Sequence, residues 1–139
     1  MTPESELLVR QSWSLVTERG PALAERFYQR LFEIAPDQQQ LFASTDMVDQ
    51  RRKFIAMLQE IMVRIGTPAE LVPEVAALGS RHAGYGVSAR GYRVVGEALI
   101  WALDQELGAA MTPDTREAWR EAYQLLASLM ERGAITIGR

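Results

Sequence analysis

Apolar residues recur every three or four positions along almost the whole chain, and that period predicts helix after helix with short breaks at Gly, Pro and Thr-Pro. The first helix should open at Thr2-Pro3-Glu4, where a cap hydroxyl, a proline and an acid suit the positive end of a helix, and stop near Arg19-Gly20. Leu8, Trp13 and Leu15 are its expected apolar surface. Gly20-Pro21 opens the second helix, in which Leu23, Ala24, Phe27, Tyr28, Leu31 and Phe32 make a broad apolar face opposite Glu25, Arg26, Gln29 and Arg30. Pro36 begins a short helical turn, PDQQQLF, followed by the cap-type loop Ala43-Ser44-Thr45-Asp46. A longer helix is expected from about Met47 to Ile65, with Gln50, Phe54, Met57 or Leu58, Ile61 and Ile65 along its inner stripe.

Thr67-Pro68-Ala69-Glu70 matches a capping box with proline at the first helical position. The helix it starts places Leu71, Val75, Leu78 and His82 on one face, and Gly84 and Gly86 end it just past the histidine. Another long helix should run from about Ala89 to Leu107 with Tyr92, Val95, Leu99 and Leu103 inward. Gly108 stops it, and Thr112-Pro113-Asp114 caps a last helix carrying Trp119, Ala122, Tyr123, Leu126 and Met130. The tail, residues 133–139, reads GAITIGR and is expected to fray or to pack on a neighbour. No strand-length alternation is visible, so the expected class is all-α with about seven helices and short connections.

Composition narrows the chemistry. The chain has 139 residues, 47% hydrophobic and 24% charged, enough for one domain with one core. A net charge of −3 argues against a nucleic-acid surface. With no cysteine, disulfides, thiolate catalysis and zinc or iron–sulfur sites built on cysteine are excluded, as is the CxxCH attachment of c-type haem. A single histidine excludes multi-histidine metal sites. No apolar run has the length of a membrane span, and the acidic start lacks a secretory pattern, so the expected compartment is the cytoplasm.

Three residues interrupt otherwise apolar faces. His82 replaces the next buried residue of its helix, either as a satisfied core side chain or as a ring nitrogen offered to something held inside. Tyr28 lies among apolar neighbours, its hydroxyl bonded to a backbone carbonyl or aimed into a pocket. Gln50 is a polar amide at the end of an apolar stripe. The basic run Arg51, Arg52 and Lys53 beside it is expected to be a solvated face rather than an anion contact.

The stretches FYQRLFEIAPDQQQLF, VDQRRKF, LGSRHAGYGV and TPDTREAWREAY resemble the globins in that order and spacing, with thirty-two positions from Gln50 to His82. The likeness extends over about 4–130 and is nearest to neuroglobin and the single-domain bacterial haemoglobins, among them the Hell's Gate globin and the globin part of flavohaemoglobins. It implies a globin domain over residues 1–132, packed around a b-type haem. By the same resemblance His82 matches the proximal histidine that binds haem iron. Phe42 matches the phenylalanine wedged against the haem face, Gln50 the distal residue, and Tyr28 the tyrosine opposite it. Phe54 matches a pocket wall; Val87, Tyr92 and Val95 match the proximal or lower haem surface; and Arg81 and Lys53 match flanks that reach the propionates.

The residues agree with that reading. Haem is a flat apolar disc that needs an imidazole, apolar walls and cations at its rim. With one histidine, bis-histidyl iron cannot form within a monomer, so five-coordinate ferrous iron is expected. The proximal ring should be oriented by the carbonyl of Leu78, one turn back. Two features depart from the relatives. Phe54 stands where they carry a smaller aliphatic residue, and Ala134 where flavohaemoglobins carry a glutamate, with Glu131 nearby but out of register. Three functions follow. The first is reversible binding of dioxygen and other diatomic gases, by a monomer or weak dimer. The second is nitric oxide dioxygenation with a separate reductase, since too few residues follow Met130 for a flavin domain. The third is a haem-free sensor or interaction module.

Overall fold

The computed structural model describes residues 1–19, 21–66 and 89–137, with side chains described over 1–19, 21–66 and 90–128. The described residues form five α-helices: α1 (Pro3–Thr17), α2 (Ala22–Ile34), α3 (Met47–Arg64), α4 (Ala89–Leu107) and α5 (Pro113–Ile137). Two 3-10 segments, Pro36–Phe42 and Gly108–Ala110, lie between them. The predicted helix starting at Thr67, with His82, Arg81, Val87 and the carbonyl of Leu78, lies outside the described residues.

Helix starts follow local chemistry. Thr2 Oγ1 accepts from the amide of Ser5 at 3.1 Å, Asp46 Oδ1 from that of Val48 at 3.0 Å, and Thr112 Oγ1 from that of Thr115 at 3.1 Å. Each satisfies a first-turn donor that has no partner within its helix, an effect of about 1 kcal/mol per cap. The chain between α2 and α3 tightens into a 3-10 segment after Ala35, with Pro36 at its first position.

Helix α2 packs chiefly on α4, and α1 chiefly on α5. The core is one continuous cluster running from Val9 and Trp13 of α1 through Phe27, Leu31, Leu58, Leu99 and Leu103 to Trp119 of α5. The inward face of α1 differs from the expected one. Val9, Ser12, Trp13 and Val16 are buried, Leu8 is half-buried and Leu15 is 44% exposed. Two tryptophans fix this face. Trp119 Nε1 donates to Ser12 Oγ at 2.9 Å, and Trp13 Nε1 donates to Gln59 Oε1 of α3 at 2.9 Å. Buried Glu106 of α4 ties down the α1–α2 corner: its carboxylate accepts from Arg26 Nε at 2.7 Å, and its carbonyl accepts from Arg19.

Helix α4 runs against α5 at a close approach. A methyl group on Gly96 would sit 2.7 Å from the Tyr123 ring, so only glycine fits there without displacing it. The Tyr123 hydroxyl donates to the carbonyl of Tyr92 one turn earlier on α4. The last helix is longer than predicted, continuing through Gly133 to Ile137, so the segment expected to fray is helical that far.

Candidate functional site

Four of the residues singled out in the sequence meet at one place. Tyr28 faces inward on α2, only 5% exposed, where the charged residues of α2 occupy the opposite side. Around its ring stand Phe27 at 4.9 Å, Phe42 at 5.6 Å, Phe54 at 5.6 Å and Phe32 at 6.0 Å, the first three edge-on. Phe27 and Phe54 are stacked, with centroids 4.3 Å apart and planes within 12°. Three elements therefore converge: α2 supplies the phenol, the 3-10 segment supplies Phe42, and α3 supplies Phe54 and Gln50. Aromatic pairs of this geometry add roughly 0.5–1.5 kcal/mol each beyond the area they bury.

One hydrogen bond defines the polar part. Gln50 Nε2 donates to Tyr28 Oη at 3.1 Å. Because the amide is the donor, the phenolic proton is not used in that bond and is available for another acceptor. Burial raises the phenol's pKa above its ordinary value, and the Gln50 bond lowers it by a smaller amount. Tyr28 is thus a protonated donor throughout the neutral range. Gln50 is half-buried at the first turns of α3, between this apolar cluster and the exposed side of the helix.

The remaining candidates fall into three groups. Tyr92 is buried and Val95 half-buried on α4, both packed on the same core as the Tyr28 rings. Lys53 is exposed on α3 and pairs with Asp49 Oδ2 at 3.2 Å, one turn back on its own helix. His82, Arg81 and Val87 lie outside the described residues. Phe27 belongs to the site although sequence reasoning placed it only in the core. Its adjacency to Tyr28 was visible, but its stacking on Phe54 depends on how α2 meets α3.

A haem fits the residues present. It is a flat apolar group that wants aromatic and aliphatic walls with few polar atoms. Phe42, Gln50, Met57, Val94 and Val95 are half-buried against the core instead of being closed within it. Phe54, Tyr92 and Leu99 supply buried surface on the same two helices, and Tyr28 brings one donor into it. The described frame is all-helical, with a phenol, an amide and a cluster of rings brought together from α2, the 3-10 segment and α3.

Comparison with known proteins agrees. The globin family profile matches residues 25–130, and the chain belongs to the globin family. It is 31% identical over 132 residues to the flavohemoprotein of Bordetella parapertussis and 30% identical over 132 residues to that of Halalkalibacterium halodurans. These alignments cover 94% and 93% of this chain, which spans about a third of the length of each relative. Among solved structures it is similar to an engineered carbene transferase made from a Rhodothermus marinus protein assigned as a nitric oxide dioxygenase. There the identity is 28% and the TM-score 0.87, with 99% of this chain and 95% of that one covered. The globin family implies haem. No helix among the described residues is long and apolar enough to cross a membrane.

Proposed function

We propose that this globin holds haem b through His82 and, with electrons from a reductase, converts nitric oxide and dioxygen to nitrate. When bound, haem supplies an iron centre that takes diatomic gases and changes redox state. The chain's own part is to hold and aim. His82 would fix the group from one face with a neutral imidazole. Phe42, Phe54 and Val95 would supply walls that exclude water, with Val87 and Tyr92 below. Arg81 and Lys53 would meet the carboxylates at the rim.

The observation that carries the proposal is the 3.1 Å bond from Gln50 Nε2 to Tyr28 Oη. It leaves a phenolic proton that, with haem held beside it, could be offered to a ligand oxygen carrying partial negative charge, and Phe27, Phe42 and Phe54 surround that phenol. Dioxygen draws charge onto its oxygens where carbon monoxide scarcely does, so this donor selects for dioxygen. Reversible dioxygen binding for storage or delivery would use the same donors. The turnover reading is favoured because the similar proteins are flavohemoproteins and a Rhodothermus marinus protein assigned as a nitric oxide dioxygenase.

The test is aerobic nitric oxide consumption by haem-loaded protein with NADH and a generic reductase. Repeated turnover with one nitrate formed per nitric oxide is expected. Consumption that stops after a single equivalent, beside normal reversible dioxygen binding, would overturn turnover in favour of storage.

A further inference from the structure

Helix α3 has a second working face. Gln50 and Phe54 point toward the aromatic site, while Val48, Arg51, Arg52 and Ile55 line a half-open groove of about 410 Å³ between α3, the end of α1 and the start of α2. Trp13 and Val16, nearly fully buried, belong to its lining, and Pro21 lines it from the α1–α2 corner. The indole nitrogen of Trp13 is already bonded to Gln59, so the tryptophan presents carbon to the groove. Val48 is 69% exposed, the most exposed large apolar side chain described. The volume lies within the range of small-molecule sites.

The charges in the groove are not evenly matched. Arg52 and Lys53 both pair with Asp49. The Arg51 side chain, half-buried beside them, has no ion pair or hydrogen bond among the described residues. Glu25 lines the groove from α2 and repels an anion on that side. An occupant with one anionic end and an apolar body would therefore place its charge at Arg51 and its body against Trp13, Val16, Val48 and Ile55. An apolar groove with one uncommitted guanidinium matches that chemistry, since a carboxylate accepts both arms of the guanidinium fork.

We propose that this groove is a second ligand site, separate from the aromatic pocket, that takes a medium-chain aliphatic monocarboxylate with its carboxylate on Arg51. The site does not depend on the gas chemistry proposed above, because none of its residues belongs to the Tyr28 cluster.

The probe is decanoate, titrated calorimetrically into haem-loaded protein below its aggregation threshold, with decanol as the uncharged control and the Soret band followed in parallel. Saturable one-to-one binding is expected, with decanol at least about tenfold weaker. Arg51→Gln and Val48→Glu, both at solvent-accessible positions, should each weaken decanoate at least about tenfold while leaving the thermal midpoint and Soret band unchanged. Absence of saturable binding overturns the proposal, and so does an affinity that either variant leaves unaltered. A Soret shift that tracks decanoate occupancy also overturns it, because the chain would then be entering the aromatic pocket.

Discussion

Replacing Tyr28 by phenylalanine removes one oxygen atom and almost nothing else. The ring remains edge-on to Phe27, Phe42 and Phe54, so the packing contribution is retained. Gln50 loses its acceptor at 3.1 Å, but it is half-buried and its amide can turn to water. The stability cost should therefore stay near 1 kcal/mol. Function should change far more. A hydrogen bond to a charged acceptor is worth roughly 1.5–3 kcal/mol, which corresponds to about a tenfold to hundredfold change in affinity. Most of that change should appear in the off-rate, because the donor acts only once the ligand is seated. The assay is stopped-flow replacement of dioxygen by carbon monoxide in the haem-loaded protein. Dissociation should accelerate at least about tenfold in Tyr28→Phe, with carbon monoxide release changed much less. An unchanged dioxygen off-rate in a folded variant would mean that the phenolic proton never reaches the ligand.

The same group governs alkaline behaviour. A phenol whose pKa is raised on folding contributes stability that is complete below its unfolded value near 10 and is lost as pH rises through the folded value. Unfolding free energy should fall above about pH 10, and Tyr28→Phe should flatten that part of the profile; denaturant midpoints measured from neutral to alkaline pH check it. Phe54→Val should open the space above Phe27 and raise carbon monoxide association rates, at a stability cost of about 2 kcal/mol from the emptied volume; flash photolysis reads the rate. Gly96→Ala should destabilise by about 1–2 kcal/mol, because overpacking against the Tyr123 ring outweighs the gain in helix propensity. Calorimetry should show a midpoint lower by about 2–6 °C.

Much of this architecture was legible in one sequence because local chemistry dictates it. The hydroxyls and carboxylate at Thr2, Asp46 and Thr112 cap the helices they were expected to cap, and Pro21 and Pro36 mark entries that proline geometry favours. The inward stripes of α2 and α3 followed from their period, and those stripes bring Tyr28, Phe54 and Gln50 together. On α1 the apolar pattern points to Leu15, whereas Val9 and Val16 are the buried residues and Leu15 is exposed. The buried set of positions 9, 12, 13 and 16 is a helical stripe, but a polar Ser12 within it hid the pattern until Trp119 supplied its partner. The close approach at Gly96 depends on two helices meeting, which no single period reveals. The basic run was expected to be solvated, and Arg52 and Lys53 are exposed, whereas Arg51 is half-buried in the groove beneath Trp13, which needs three helices to form.

The proposed function requires that the His82 imidazole hold haem iron. The direct measurement is a haemin titration of apoprotein, wild type beside His82→Ala, followed in the ferric, ferrous and carbon monoxide-bound states. Wild type should take one haemin and give, when reduced, the spectrum of five-coordinate iron on a neutral histidine. His82→Ala should lose that signature and regain it with added imidazole. An identical Soret spectrum in the two proteins, or a wild type that takes up no haemin, would contradict the account.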